Sequence, residues 1–242
     1  MLNLRTYLLW VLYSVTSLLL SIWLAWHLFA QVNFLYPLWY SALSIDQTIE
    51  QTAPRHIHKK QFAETTKQER HRLFAKIVDA VQNKGKGLAH IKYHHRNGQV
   101  LDTLLTQKEI IHLKDVANLV DSLNWLSVIL LVVGLLLLAL MFLLRVFMPM
   151  FRKLVISVVA VVGVGTVLLY FIGLTKVFYW LHPIVFPADH QWFFYYEESL
   201  MSTLMKAPVL FAPLGAQLIL LGLVIWGLHL LLLKKLRLFT TA

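Results

Sequence analysis

Apolar residues in this chain come in four long blocks: Tyr7 to Ala30, Trp125 to Phe147, Leu154 to Trp180 and Pro208 to Leu233. At about 1.5 Å per residue, each reaches or exceeds the roughly 30 Å hydrocarbon thickness of a bilayer, so each predicts a transmembrane helix. A basic, histidine-rich stretch, residues 31–124, separates the first two. The first block is longer than the apolar core of a secretory signal, about 7–15 residues, and no small-x-small cleavage site follows it. It reads as a retained anchor.

The finer pattern predicts elements inside the insert. Trp23, Trp26, Phe29, Phe34, Tyr36, Trp39 and Tyr40 read as an aromatic belt at a membrane interface, with Pro37 breaking the helix. Leu73, Phe74, Ile77, Val78 and Val81 recur at helical spacing within Glu64 to Gln82. Arg96-Asn97-Gly98-Gln99 between short apolar runs predicts a hairpin. Thr106 and Glu109 fit a capping box that opens an amphipathic helix. That helix is expected to lie in the interface and to bend near Ser122 to Trp125 before the second span. Pro183 should stop the third span at His182. An aromatic loop, Phe186 to Tyr196, follows, and then a short surface helix within Glu197 to Lys206. Gly163 and Gly165 suggest close helix packing inside the third span. The fold class expected is an α-helical membrane protein: four transmembrane helices with a small α+β extracytoplasmic cap between helices 1 and 2. Its segments are helix 1 over 1–30, the cap and interfacial helix over 31–124, and helices 2–4 over 125–242, with a short outer loop at 175–207.

Composition agrees with a membrane solvent: 58% of the 242 residues are hydrophobic. The net charge of +10 would suggest nucleic acid in a soluble protein. Here its distribution suggests topology instead. Arg5, the Arg145, Arg152 and Lys153 link, and the Lys234, Lys235 and Arg237 tail fall on one side of a four-span protein. By the positive-inside rule that side is the cytoplasm, which leaves the insert and the 175–207 loop outside. The chain has no cysteine, which excludes disulfides, thiolate metal sites and a thiol nucleophile.

Histidines are the candidate chemical groups. His112 has Glu109 and Asp115 three residues away on either side, on one helix face, where a carboxylate can orient an imidazole. His182 stands at the outer end of a span among aromatics, where ionisable groups are enriched for function. His27, at the outer end of the first span, is a third candidate. His56, His58, His94 and His95 read as solvated. His27 and His229 lie at opposite ends of their spans and cannot share one haem iron. No Gly-x-Ser-x-Gly elbow or phosphate-binding glycine loop occurs.

Glu109-Ile-Ile-His112-Leu-Lys-Asp115-Val116, followed by a span, resembles the Glu-x-x-His-Met-x-Asp-Val signature of a family of small four-span bacterial membrane proteins. Leu113 stands where that signature has methionine. A second block, His182 with Phe186, Trp192, Pro208 and Phe211, is similar as well. The family is that of the lipoprotein intramolecular transacylases. The resemblance implies a plasma-membrane acyltransferase acting at the outer face on a diacylated bacterial lipoprotein, among membrane lipid, with no cofactor or metal. It would move the sn-2 acyl chain from glycerol to the N-terminal cysteine amine and give a lyso-form lipoprotein. His112 and His182 are then the expected catalytic residues, with Asp115 or Glu109 orienting. Trp192, Phe186 and His27 are the expected substrate-binding residues. His112 is taken as base and His182 as oxyanion support, though the roles can be exchanged. An intramolecular aminolysis needs no enzyme nucleophile. Two other classes remain open at this level: a non-catalytic membrane scaffold, which would tolerate loss of both histidines, and a histidine-ligated redox protein, which would purify with metal or a chromophore.

Overall fold

The structure, a computed structural model, describes residues 4–147 and 151–236. Arg237 of the basic tail lies outside the described residues. In chain order the elements are α1 (Leu4–Gln31), α2 (Tyr36–Ala42), α3 (Ile45–Thr52), α4 (Lys67–Gln82), β1 (Lys92–His94), β2 (Val100–Thr103), α5 (Gln107–Leu143), α6 (Phe151–Ile172), α7 (Leu174–Val185), α8 (Leu200–Met205) and α9 (Phe211–Lys235), with short 3-10 turns between. Helices α1, α5, α6 and α9 are long and apolar enough to cross a membrane. The protein is therefore a multi-pass α-helical membrane protein with a small two-stranded sheet.

The chain divides into two units. The first holds the described parts of 1–28, 123–172 and 216–242, and its core is built from Trp10, Tyr13, Met141, Val146, Trp226, Leu230 and Leu233. In hydrocarbon, buried polar groups need partners within the protein. Trp10 Nε1 donates to the Phe147 carbonyl at 2.9 Å, Trp226 Nε1 donates to Ser17 Oγ at 3.2 Å, and Tyr13 Oη pairs with His229 Nε2 at 2.5 Å. Helices α1 and α9 meet closely at Gly222. A Cβ there would stand 2.6 Å from Ile22 Cγ1 and 3.0 Å from Ile22 Cα.

The second unit takes in 29–122 and 173–215. Tyr36 stacks on Phe74, with centroids 3.9 Å apart, and Tyr40 Oη accepts from the buried Arg70 at 3.0 Å. Thr66 caps α4 by accepting from Glu69 N–H. Glu69 in turn bonds Arg72 and accepts from the backbone N–H of His94, which ties α4 to β1. Strands β1 and β2 pair antiparallel, with a bulge at Tyr93/His94, around a turn closed by Gly98 N–H to the His95 carbonyl. Gly98 has φ +87°, which explains glycine there. Ile57 N–H donates to the Glu197 carbonyl, and Tyr36 Oη donates to the Leu204 carbonyl, so the late segment is bound into this unit.

Several local expectations are corrected. The third apolar block is two helices, broken at Gly173 (φ +95°), and α7 runs through Pro183 to Val185. The stretch Ser122 to Trp125, where the sequence predicts a bend, stays within one continuous helix, α5. No Pro or Gly interrupts that stretch, and the Ser122 hydroxyl bonds back to the Asn118 carbonyl within the helix. The fourth span starts at Phe211, because a turn holds Pro208. The first helix breaks before Pro37, at Asn33–Leu35 with positive φ, and Pro37 sits in the first turn of α2. Phe34, Tyr36 and Tyr40 are buried in the second unit and are not an interfacial belt. Helix α8 is buried throughout rather than a surface helix. His56 is buried, and its Nδ1 accepts from the backbone N–H of His58 and Lys59. His94 and His95 have carboxylate partners, Glu69 and Glu64, each at 2.8 Å. Gly163 and Gly165 face open space, as suits a helix turned toward lipid.

Candidate active site

The site is assembled from the start of α5, the end of α7 and the loop after it, all within the second unit. Thr106 and Glu109 form the capping box that opens α5. Thr106 N–H donates to Glu109 Oε2 at 2.6 Å, and Glu109 N–H donates to Thr106 Oγ1 at 3.4 Å. The other carboxylate oxygen, Oε1, accepts from Ser199 Oγ at 2.6 Å and Met201 N–H at 3.2 Å. Glu109 is fully buried. It therefore clamps the approach to α8 onto the first turn of α5 and does not bond His112.

One turn on, His112 is buried, and its Nδ1 has no hydrogen-bond partner among the described residues. Its ring lies 6.2 Å, centroid to centroid, from His182, 5.1 Å from Phe186 and 6.0 Å from Phe194. Two hydrogen bonds of about 3 Å meeting at one atom span a comparable distance. His182 packs on Phe178 at 3.9 Å and Trp192 at 4.8 Å. Its Nδ1 donates to the Phe178 carbonyl, one helical turn back, at 2.6 Å. A carbonyl can only accept, so Nδ1 carries the proton and neutral His182 presents a lone pair at Nε2. Burial holds the His182 imidazole below the ordinary histidine value, partly countered by that carbonyl.

Among the residues singled out from sequence, His112, His182, Phe186 and Trp192 come together in one cluster of rings. Asp115 lies beside it, but its partner is His190, whose Nδ1 meets Asp115 Oδ2 at 2.7 Å. His27 belongs to the other unit, where Nε2 meets Asn124 Oδ1 at 3.2 Å and Trp23 packs edge-on at 5.0 Å. Sequence reasoning missed His190, Ser199, Phe178 and Phe194. His190 and Asp115 are 75 residues apart, so no spacing rule links them. Phe178 lies four residues before His182, a helical spacing that was readable but lay within an apolar block. Among the described residues, no group of three or more His, Cys, Asp or Glu side chains converges as a metal-ligand set.

A family model described as lipoprotein intramolecular transacylase Lit matches residues 7–206. Among solved structures, the chain is similar to the in meso structure of the membrane integral lipoprotein intramolecular transacylase Lit from Bacillus cereus. The TM-score is 0.62 at 18% identity, over 96% of this chain and 98% of that one. No curated protein matches.

Proposed function

The chain belongs to the lipoprotein intramolecular transacylase family and is a membrane acyltransferase, and from that premise we propose that it moves the sn-2 acyl chain of a diacylglyceryl lipoprotein onto the α-amine of its N-terminal cysteine. The observation that carries this reading is the pair of imidazoles in one aromatic cluster, with the protonation of one fixed by a helix carbonyl.

The amine nitrogen attacks the sn-2 ester carbonyl within one molecule, so proximity is supplied by the substrate itself. Its pKa near 8 leaves a useful neutral fraction at pH 7. His182 Nε2, with its lone pair free, takes the amine proton as the C–N bond forms. His112 has the opposite polarity. A buried ring nitrogen without a partner is less costly as a bare lone pair than as an orphaned N–H, so its proton sits on Nε2. That N–H donates to the oxyanion of the tetrahedral intermediate. Collapse breaks the C–O bond to glycerol, and the departing oxygen receives the proton that His182 took. The products are an amide and a free sn-2 hydroxyl, with no proton gained or lost overall. This exchanges the roles expected from sequence. Phe186, Trp192 and Phe194 exclude water, which would otherwise hydrolyse the ester.

The site faces outward and both termini face the cytoplasm in this reading. The support is the basic Arg145, Arg152, Lys153, Lys234 and Lys235 on the opposite connections. A periplasmic-type reporter fused to the C-terminus should be silent, and an active one would reverse the orientation. The reaction is tested by mass spectrometry of a diacyl reporter lipopeptide after incubation with the reconstituted protein. Acyl migration with unchanged mass and an acylated amine is expected; an untouched diacyl peptide would refute the reading.

A further inference from the structure

A half-open cavity of about 250 Å³ lies in the membrane unit, between α1, α5 and α9. Tyr13, Ser17, Ser21 and Leu24 of α1 line it, with Gly134 and Leu138 of α5 among the residues opposite. Its polar groups are already engaged. Tyr13 Oη is bonded to His229, Ser17 Oγ donates to the Tyr13 carbonyl at 2.7 Å, and Ser21 Oγ donates to the Ser17 carbonyl at 2.8 Å. No wall group therefore demands water, and such a space takes an apolar guest. Engineered apolar cavities of about 150 Å³ already hold a benzene ring, so this one has room for a chain segment.

Its length also identifies the guest. From Leu24 to Tyr13 along α1 is about 16 Å at 1.5 Å per residue. That matches half of the roughly 30 Å hydrocarbon core, the depth of one leaflet's acyl chains. The Leu24 end lies three residues from His27, where Trp23 and Trp26 stack and His27 meets Asn124, a polar and aromatic end suited to the headgroup level. The Tyr13–His229 pair lies at the far end. Gly134 lies in the wall: an added Cβ would make ordinary contacts with Thr16 Cγ2 at 3.6 Å and Leu20 Cδ1 at 3.9 Å, so a longer side chain there would reach past the helix surface into the space.

We propose that this cavity binds one acyl chain of the lipoprotein substrate, ester end at Leu24 and methyl end against the Tyr13–His229 pair, and so sets which chain lengths are accepted. The inference rests on the transacylase reading above.

The experiment uses the wild-type protein in nanodiscs and a diacyl lipopeptide with a diazirine at the end of each acyl chain. Photolabelling should fall on Tyr13, Ser17 or His229 and be competed by unlabelled lipopeptide. Label confined to outward residues such as Leu136 or Phe171, or label at the lining that only bulk phospholipid competes, would overturn the proposal. A second arm measures turnover against chain length. Gly134→Leu should lower kcat/KM for long chains by about tenfold or more relative to short ones, since even one misfitting methylene is worth about tenfold. Leu138→Ala should extend acceptance to longer chains. An unchanged length profile in both variants would also overturn it. If wild-type protein makes no lyso-form product while the cavity still takes label, the transacylase reading fails and not the cavity.

Discussion

Replacing Glu109 with alanine should unfold the site's frame rather than disable its chemistry. The carboxylate is fully buried and accepts from Thr106 N–H, Ser199 Oγ and Met201 N–H. Truncation leaves three donors without their carboxylate acceptor. Each orphan costs about 1–3 kcal/mol, reduced for Ser199, whose hydroxyl can rotate. Lys59, itself buried, also loses a nearby negative charge, and keeps Asp102 at 4.0 Å and the Thr103 and Leu104 carbonyls. The sum is about 3–5 kcal/mol, the usual range for breaking a buried charged network. For a chain of this size that lowers Tm by about 10 °C. Glu109→Gln keeps one acceptor oxygen and should cost roughly half as much. The assay is thermal unfolding in nanodiscs by tryptophan fluorescence, with turnover measured well below the transition. Turnover of the folded fraction should stay within about tenfold of wild type. An unchanged Tm with turnover down a thousandfold or more would show that Glu109 serves the chemistry and that its frame role is wrong.

Asp115→Asn and His190→Ala should each lower turnover by at most about tenfold, and the double variant should be no worse than the worse single, because they act as one pair. An additive loss would separate them. The acid limb of the pH–rate profile should lie below pH about 6.5, because burial lowers the His182 value and the base must be neutral. His182 is therefore competent above its lowered value and is lost only as pH falls through it; a limb above 7 from the enzyme would contradict this. Gly222→Ala should destabilise the membrane unit by about 1–3 kcal/mol, since its Cβ would press on the Ile22 backbone. A wild-type Tm would refute the close approach.

What was legible in the sequence followed local rules. Four apolar blocks, the Asn97-Gly98 turn and the Thr106/Glu109 box each depend on residues a few positions apart. Each block holds a spanning helix, though the third breaks at Gly173 and the fourth starts only at Phe211, and the turn and the box formed as patterned. The errors came where a neighbour far along the chain decides. Tyr36 and Tyr40 look like interfacial aromatics until Phe74, Arg70 and Leu204 are brought to them. Pro183 predicts a stop, yet α7 continues past it to Val185 and closes with Phe186 N–H on the His182 carbonyl. At the site, spacing placed Glu109 and Asp115 on the face of His112. It could not show that Ser199 and Met201 would occupy one carboxylate and His190 the other.

The central claim is that His112 and His182 together carry the acyl transfer, and the direct measurement is single-turnover conversion of a diacyl reporter lipopeptide to its lyso form by mass spectrometry, at matched folded protein. His182→Ala should slow it by about 10²–10⁴-fold, as loss of a general base does. His112→Ala should slow it by about 10²–10³-fold, as loss of one oxyanion donor does. The double variant should be far less harmful than the product of the two, because both serve one transition state. Wild-type rates in both single variants would leave the account without its chemistry.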